Sequence, residues 1–319
     1  MNEKIGRILR VIYMGTPRFA VPSLAALSQT EDLVRVVTRP DRPAGRGRKK
    51  IPSPVKEEAL DRGIPALQPM KITEPEFVRA LRDFSCDLFV VAAFGQILPP
   101  EILEIPKYGC INIHASLLPK YRGASPIAAA IAAGENKTGI TIIRMDAGMD
   151  TGDILMQREL EIGPEETTGV LTERLAILGA RTLLQTLKIL KEGRLERIPQ
   201  DGAGAIATPL LKKEHGVINW NLAGEAIRNH VRAMDPWPGA YTLVDGEILK
   251  IWRVTVREEK GRPGEVIRAG RCFQVGTRDG SVVIETVQRP GRRRINGAEF
   301  LRGRPAIREG MILGSGQPS

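Results

Sequence analysis

A chain of 319 residues with ordinary apolar content and a net charge of +10 has room for about two domains, each with its own core. Its apolar runs fall short of the roughly 18 residues of a membrane span, and the opening MNEKIGRILRVIYMG lacks a separate apolar stretch and cleavage site, so a cytoplasmic chain without signal peptide or membrane association is expected. Cys86, Cys110 and Cys272 form no C-x-x-C pair and His114, His215 and His230 are scattered, which argues against a disulfide framework and against a metal centre.

Ile8 to Met14 (ILRVIYM) predicts a buried first strand, stopped at Gly15-Thr-Pro17 before a helical run from Arg18 to Ser28. Strand, glycine turn and helix in that order predict an α/β fold built on a Rossmann-like, doubly wound sheet. The G-x-G-x-x-G fingerprint is missing, since Pro17 stands where its second glycine would be, so NAD is not expected. Leu33 to Thr38 is a second strand. From Arg39 to Lys50 six basic residues face one acid, and Pro40, Pro43, Gly45 and Gly47 predict a loop without regular structure.

Ser53-Pro54 opens a helix to about Arg62, Pro65 to Gln68 forms a short strand, and Thr73-Glu-Pro75 starts a helix reaching Asp83. Leu88 to Ala93 (LFVVAA), apolar on both faces, predicts a central parallel strand. Phe94, Gly95, Ile97 and Leu98 follow at its carboxyl end, where open α/β sheets bind ligands; the same apolar residues also read as plain core cover.

The stretch from Cys110 to Leu155 carries the chemistry. In an extended run from Cys110 to His114, Asn112 and His114 are two residues apart and leave by one face. Ser116-Leu117-Leu118-Pro119 turns the chain, and Ser125-Pro126 predicts a helix N-cap with proline at the first helical position, ended by Gly134. After a strand from Gly139 to Met145 comes Asp146-Ala-Gly-Met-Asp150-Thr-Gly-Asp153, too rich in Gly and Asp for regular structure. An amide, an imidazole and a carboxylate are the parts needed to move an acyl group between two nitrogens. Asn112 can donate to a developing oxyanion, an effect worth about 3 kcal/mol in comparable sites. His114 can relay protons near neutral pH. Spacing alone does not separate Asp150 from Asp146 and Asp153 as the acid.

Ile154 to Glu161 completes the sheet, and Thr167 opens a long amphipathic helix to about Lys191. The stretch that follows turns polar with Gly and Pro, which predicts one domain over 1–195, a linker over 196–211 and a second domain over 212–319. There, a helix from Ala223 to Met234 precedes five short runs: Tyr241 to Val244, Ile248 to Val256, Gly264 to Arg268, Phe273 to Thr277 and Ser281 to Val287. That spacing predicts a small β-barrel. His215 reads as a turn residue and His230 as an ordinary helix-face or core residue. Arg292, Arg293 and Arg294 form a second basic cluster, either a solvated loop or a contact to a nucleic-acid backbone. From Pro209 onward there are 19 basic and 12 acidic residues, a surplus of seven against three for the preceding 208, as expected if this part docks on phosphates.

Asn112-x-His114, then Ala115-SLLP-x-Tyr121-Arg122-Gly123, then Met145-Asp-x-Gly-Met-Asp150-Thr-Gly-Asp153 resemble the folate-dependent formyltransferases. The likeness extends from Met14-Gly-Thr-Pro17 to about Gly310. It implies 10-formyltetrahydrofolate as co-substrate, Asn112, His114 and Asp150 as the catalytic set, and a folate cavity shaped by Phe94, Gly95, Ile97, Leu98, Ser116, Leu117, Leu118 and Pro119. It also implies an OB-like fold for the second domain. The loop Arg39-PDRPAGRGRKKIPSPVK and the run Asp235-PWPGAY point, within that family, to members whose acceptor is the methionine amino group on initiator tRNA. Arg42, Arg46, Arg48, Lys49 and Lys50 then become candidate tRNA contacts, in a chain expected to act as a monomer. The alternatives are a formyltransferase acting on an amino sugar nucleotide or on glycinamide ribonucleotide, a formyl-folate hydrolase, and a non-catalytic tRNA-binding protein on the same scaffold.

Overall fold

The computed structural model describes residues 7–44, 49–304 and 306–314. Contacts divide the chain into two compact units, one of residues 1–123, 137–161 and 172–208, the other of residues 124–136, 162–171 and 209–319. In chain order the first contains β1 (Arg10–Gly15), β2 (Asp32–Val37), β3 (Arg42–Ala44), β4 (Lys49–Ile51), β5 (Ala66–Leu67), β6 (Leu88–Ala92), β7 (Cys110–His114), β8 (Arg122–Gly123), β9 (Lys137–Arg144), β10 (Ile154–Glu161) and β11 (Ala207–Thr208). Seven of these form one sheet in the order β10-β9-β7-β6-β1-β2-β5. The pairs from β7 to β5 are parallel, and β9 and β10 join antiparallel. The chain runs outward from β1 through β2 to β5, then returns to the other side of β1 with β6. The reversal falls between β1 and β6, with β7 next to them, and it is at the carboxyl ends of such switch points that doubly wound sheets bind ligands.

Alternation along each strand divides its side chains between the two faces of the sheet. Ile12, Met14, Phe89 and Val91 enter one cluster with Val78 and Leu81 of the Pro75–Asp83 helix and with Ile102 and Leu103. Phe94 and Leu98 belong to this cluster too, at 2% and 3% exposure. On the other face Gly179 of the Thr168–Lys191 helix lets Ile113 and Ile140 approach; a Cβ there would lie 3.0 Å from the Ile113 side chain.

Two local expectations are corrected. The basic run after Arg39 is not wholly irregular: β3 and β4 pair antiparallel, Arg42 opposite Ile51 and Pro43 opposite Lys50. Proline fits because both strands of a two-stranded ribbon are edges, where a missing N–H costs no ladder bond. The base of this ribbon is tied down by Asp41, whose carboxylate accepts from Lys56 and Gln68 at 2.7 Å each. Ser53 caps its helix as expected, accepting from the Lys56 N–H at 3.1 Å. Ser125, however, makes no cap bond to the Pro126–Ala132 helix. Its hydroxyl accepts instead from the Leu211 N–H, 3.2 Å away, because a remote backbone donor competes for the same lone pairs.

The second unit is built on β12 (Ala240–Val244), β13 (Glu247–Arg257), β14 (Val266–Ala269), β15 (Phe273–Gly276), β16 (Ser281–Gln288) and β17 (Ile295–Asn296). They run β12-β13-β16-β15-β14, with β17 also on β16. Register shifts near Ile251, Arg253 and Val266 add twist and curl this sheet. It stays an open half-barrel, since no ladder joins β12 to β14 among the described residues. The Gly224–Ala233 helix packs on it and carries His230, whose Nε2 is buried without a hydrogen-bond partner.

Burial holds the His230 imidazole below the ordinary histidine value of 6.5, against an opposing backbone bond to Gly216. The unfolded chain therefore takes up this proton at a pH where the folded chain does not. Stability is accordingly expected to be lost as pH falls from about 6.5 through the depressed folded value. Urea midpoints measured from pH 7 to 5 should fall less steeply for His230→Gln; equal slopes would remove this residue from the acid response.

Candidate active site

β7 is clamped in register between β6 and β9, with Asn112 opposite Val91 and Ile143 and His114 opposite Thr141. Its two polar side chains therefore leave the sheet by one face at its carboxyl end. The loop from β9 to β10 returns there with Asp150, whose φ of +55° lies in the left-handed region, a conformation costing a non-glycine residue of order 1 kcal/mol.

Three nitrogens surround the Asp150 carboxylate. Asn112 Nδ2 donates to Oδ1 at 3.1 Å, the Gly123 N–H donates to Oδ2 at 2.8 Å, and His114 Nδ1 lies 3.5 Å from Oδ2. The other ring nitrogen of His114, Nε2, is 2.9 Å from the Tyr121 carbonyl. A carbonyl only accepts, so Nε2 carries hydrogen and Nδ1, facing Asp150, is where a proton is gained or lost. His114 is 5% exposed, so a positive charge formed on its ring would be felt by Asp150 more strongly than in bulk water.

One of the two competing acids in this loop has other work for its carboxylate, while the other is held in the loop through its main chain. Asp146 Oδ1 accepts from the Gly148 N–H at 3.0 Å and from the Thr151 hydroxyl at 2.6 Å, which makes it a turn cap. Asp153 offers its carbonyl to the Arg144 N–H at 2.9 Å.

The turn after β7 is stiff. Thr141 Oγ1 donates to the Ser116 carbonyl at 2.6 Å and accepts from the Leu118 N–H at 3.1 Å, and Gln157 Nε2 donates to the Leu118 carbonyl at 2.8 Å. Ser116 is buried and donates its hydroxyl to the Lys120 carbonyl at 2.7 Å. Leu118 is buried too, whereas Leu117 and Pro119 are half-buried. At the end of β6, Gly95 has φ +82° and Ile97 is 76% exposed, in contrast to Phe94 and Leu98 in the core.

Arg42 and Lys50 are exposed on the basic ribbon and Lys49 lies in β4, while Arg46 and Arg48 fall outside the described residues. In the second unit Arg292 and Arg293 are exposed. Arg294 is already engaged: it pairs with Asp235 at 3.0 Å, and its guanidinium lies 3.6 Å over the Trp252 ring.

Sequence reasoning missed three contributors, the Tyr121 carbonyl, the Gly123 N–H and Gln200. Gly123 had a signal in being a glycine, and the structure gives the reason for it, a φ of +105° and a 2.5 Å approach of the Thr208 carbonyl to a Cβ there. The other two had none. Among the described residues no group of three His, Cys, Asp or Glu side chains is placed to hold a metal ion, and no helix is long and apolar enough to cross a membrane.

Amide, imidazole and carboxylate thus meet at the carboxyl edge of a doubly wound sheet, and a separate curled antiparallel sheet follows in the chain, an arrangement suited to acyl transfer. The model of the formyl transferase family matches residues 8–187 and that of its C-terminal domain residues 210–305. A methionyl-tRNA formyltransferase of Geotalea uraniireducens is 49% identical over 96% of this chain and 98% of its own, and one of Geobacter sulfurreducens is 51% identical over 92% and 94%. Among solved structures, an N-formyltransferase from Helicobacter canadensis in complex with folinic acid and dTDP-3-aminofucose superposes with a TM-score of 0.63 at 18% identity, covering 87% of this chain and 99% of its own. The chain belongs to the methionyl-tRNA formyltransferase family.

Proposed function

We propose that this chain transfers the formyl group of 10-formyltetrahydrofolate to the amino group of methionyl initiator tRNA, giving N-formylmethionyl-tRNA. The supporting observation is that alignments of near-half overall identity to proteins of that name span both matched regions rather than the catalytic stretch alone.

In this reading Asn112, His114 and Asp150 act on the reacting atoms. The neutral α-amine attacks the formyl carbon. Asn112 keeps one amide N–H on Asp150, and its second is free to donate to the oxyanion that forms, which is worth about 3 kcal/mol. His114 Nδ1 takes the amine proton, and Asp150 stabilises the resulting imidazolium. The same nitrogen returns the proton to the departing folate nitrogen as the carbon–nitrogen bond breaks, so atoms and charge balance. Acid-base participation of this kind contributes roughly 10² to 10⁴ in rate. Gly95, Ile97 and the Ser116–Pro119 turn would line the folate side, with Ile97 offering the exposed apolar surface and Phe94 and Leu98 supporting it from the core.

The catalytic domain is assigned to 1–195, the linker to 196–211 and the tRNA-binding domain to 212–319. Arg42, Arg46, Arg48, Lys49, Lys50, Arg292, Arg293 and Arg294 are assigned to the phosphate backbone. A protein with this substrate works in the cytoplasm, as a single chain. Arg42→Ala is expected to weaken tRNA binding and to lower the slope of log affinity against log salt by about one; an unchanged slope would exclude the contact. The activity itself is tested by supplying labelled 10-formyltetrahydrofolate with charged initiator tRNA, an amino sugar nucleotide, glycinamide ribonucleotide or water alone. Label in the aminoacyl-tRNA is the expected result, and label confined to another acceptor or to formate would overturn the reading.

A further inference from the structure

We propose that Gln200 is a positioning residue for formyl transfer, its side-chain amide holding the Asp150 loop in the conformation that sets the carboxylate against Asn112 and His114. The inference rests on the role given to Asp150 above.

Gln200 lies in the stretch whose composition reads as linker. Its Nε2 donates to the carbonyls of Asp150 and Gly152 at 2.8 and 2.7 Å. Its Oε1 accepts from Nε and Nη2 of Arg122 at 3.1 and 2.8 Å. Two N–H groups and two lone pairs are all that an amide has, and all four are used. The orientation is unambiguous as well: carbonyls only accept and a guanidinium only donates, so a flipped amide would break every one of these contacts.

The held loop needs such a clamp. It contains Gly148 and Gly152, and Asp150 sits at φ +55°, a conformation that an L-residue leaves readily when nothing opposes it. Gln200 binds the carbonyl of Asp150 itself and that of the second residue after it, bracketing the strained position. The clamp is anchored in turn. Ile198 and Ile154 exchange two backbone hydrogen bonds of 2.8 and 3.0 Å. Further on, β11 pairs in parallel with β8, and Thr208 Oγ1 donates to the Arg122 carbonyl at 3.0 Å. Arg122 precedes Gly123, whose N–H holds Asp150 Oδ2. The segment 198–208 thus fixes the Asp150 backbone directly and its carboxylate through Gly123.

The test compares Gln200→Met and Gln200→Glu with the unaltered full chain. Gln200→Met keeps the volume and removes all four hydrogen bonds. Gln200→Glu keeps the acceptor for Arg122 but sets a carboxylate against two carbonyl oxygens. Both are expected to lower kcat about 10²-fold, the cost of misplacing a catalytic group by about an ångström, with KM for both substrates unchanged. The chain has three histidines, His114, His215 and His230, so nitrogen NMR of their rings gives a readout independent of turnover. The His114 signals are expected to move while those of His215 and His230 stay, a selectivity that general destabilisation would not produce.

Wild-type kcat in either variant, or unmoved His114 signals, would overturn the proposal. If neither variant folds by melting temperature, Arg122→Met serves instead. It leaves the two carbonyl bonds but frees the amide to turn, and it should displace the same His114 signals. An unaltered chain that fails to formylate methionyl-tRNA would count against the functional reading alone, and the His114 spectra would still decide the clamp.

Discussion

Replacing Asp150 by asparagine is expected to lower formyl transfer by roughly 10² to 10⁴ while leaving tRNA affinity unchanged. The substitution preserves shape, so packing is not at issue. It removes the charge facing His114 Nδ1, and the new amide nitrogen must point at either Asn112 Nδ2 or the Gly123 N–H, setting donor against donor. Single-turnover rates beside equilibrium tRNA binding check this. A variant that turns over normally would remove the carboxylate from the mechanism, whatever its place in the site.

Gly152→Ala should harm both stability and turnover. A Cβ at this position would lie 1.8 Å from the Arg144 carbonyl and 3.3 Å from the Asp146 amide nitrogen. Both are backbone atoms, so the loop or β9 must move, at a cost of about 1–3 kcal/mol. Displacing the loop also carries Asp150 away from His114, so the loss of kcat is expected to exceed what the remaining folded fraction accounts for. Gly202→Ala is the matched control: nothing lies within 4 Å of a Cβ there, and a neutral to slightly stabilising effect of up to about 1 kcal/mol follows from the less flexible unfolded chain. Urea midpoints and turnover of the two variants provide the comparison, and a wild-type midpoint for Gly152→Ala would show that the close approach is not a constraint.

Much of the catalytic sheet is legible in residue order because its signals are local. The apolar run of β6, the N-cap of Ser53 and the two-residue offset of Asn112 and His114 each depend only on near neighbours, and the strand bounds Cys110–His114 and Ile154–Glu161 coincide with those read from the sequence. The second domain was legible in its strands, while closure of its sheet was not, since bulges in β13 and β14 decide its curvature and no residue type announces them.

Residue types and their spacing determined the sheet, its glycine turns and the face shared by Asn112 and His114. The tertiary structure alone decided which of three aspartates meets the imidazole, because Asp146 is drawn off by its own turn while Asp150 is bound by Gly123. It also decided that Ser125 serves Leu211 rather than its helix and that Gln200, in a polar stretch of no evident pattern, closes on the loop that carries Asp150. The physical reason is common to these cases. A strand or helix repeats its pattern along the chain, whereas a hydrogen bond between a side chain and a distant carbonyl leaves no pattern, since every residue has that carbonyl.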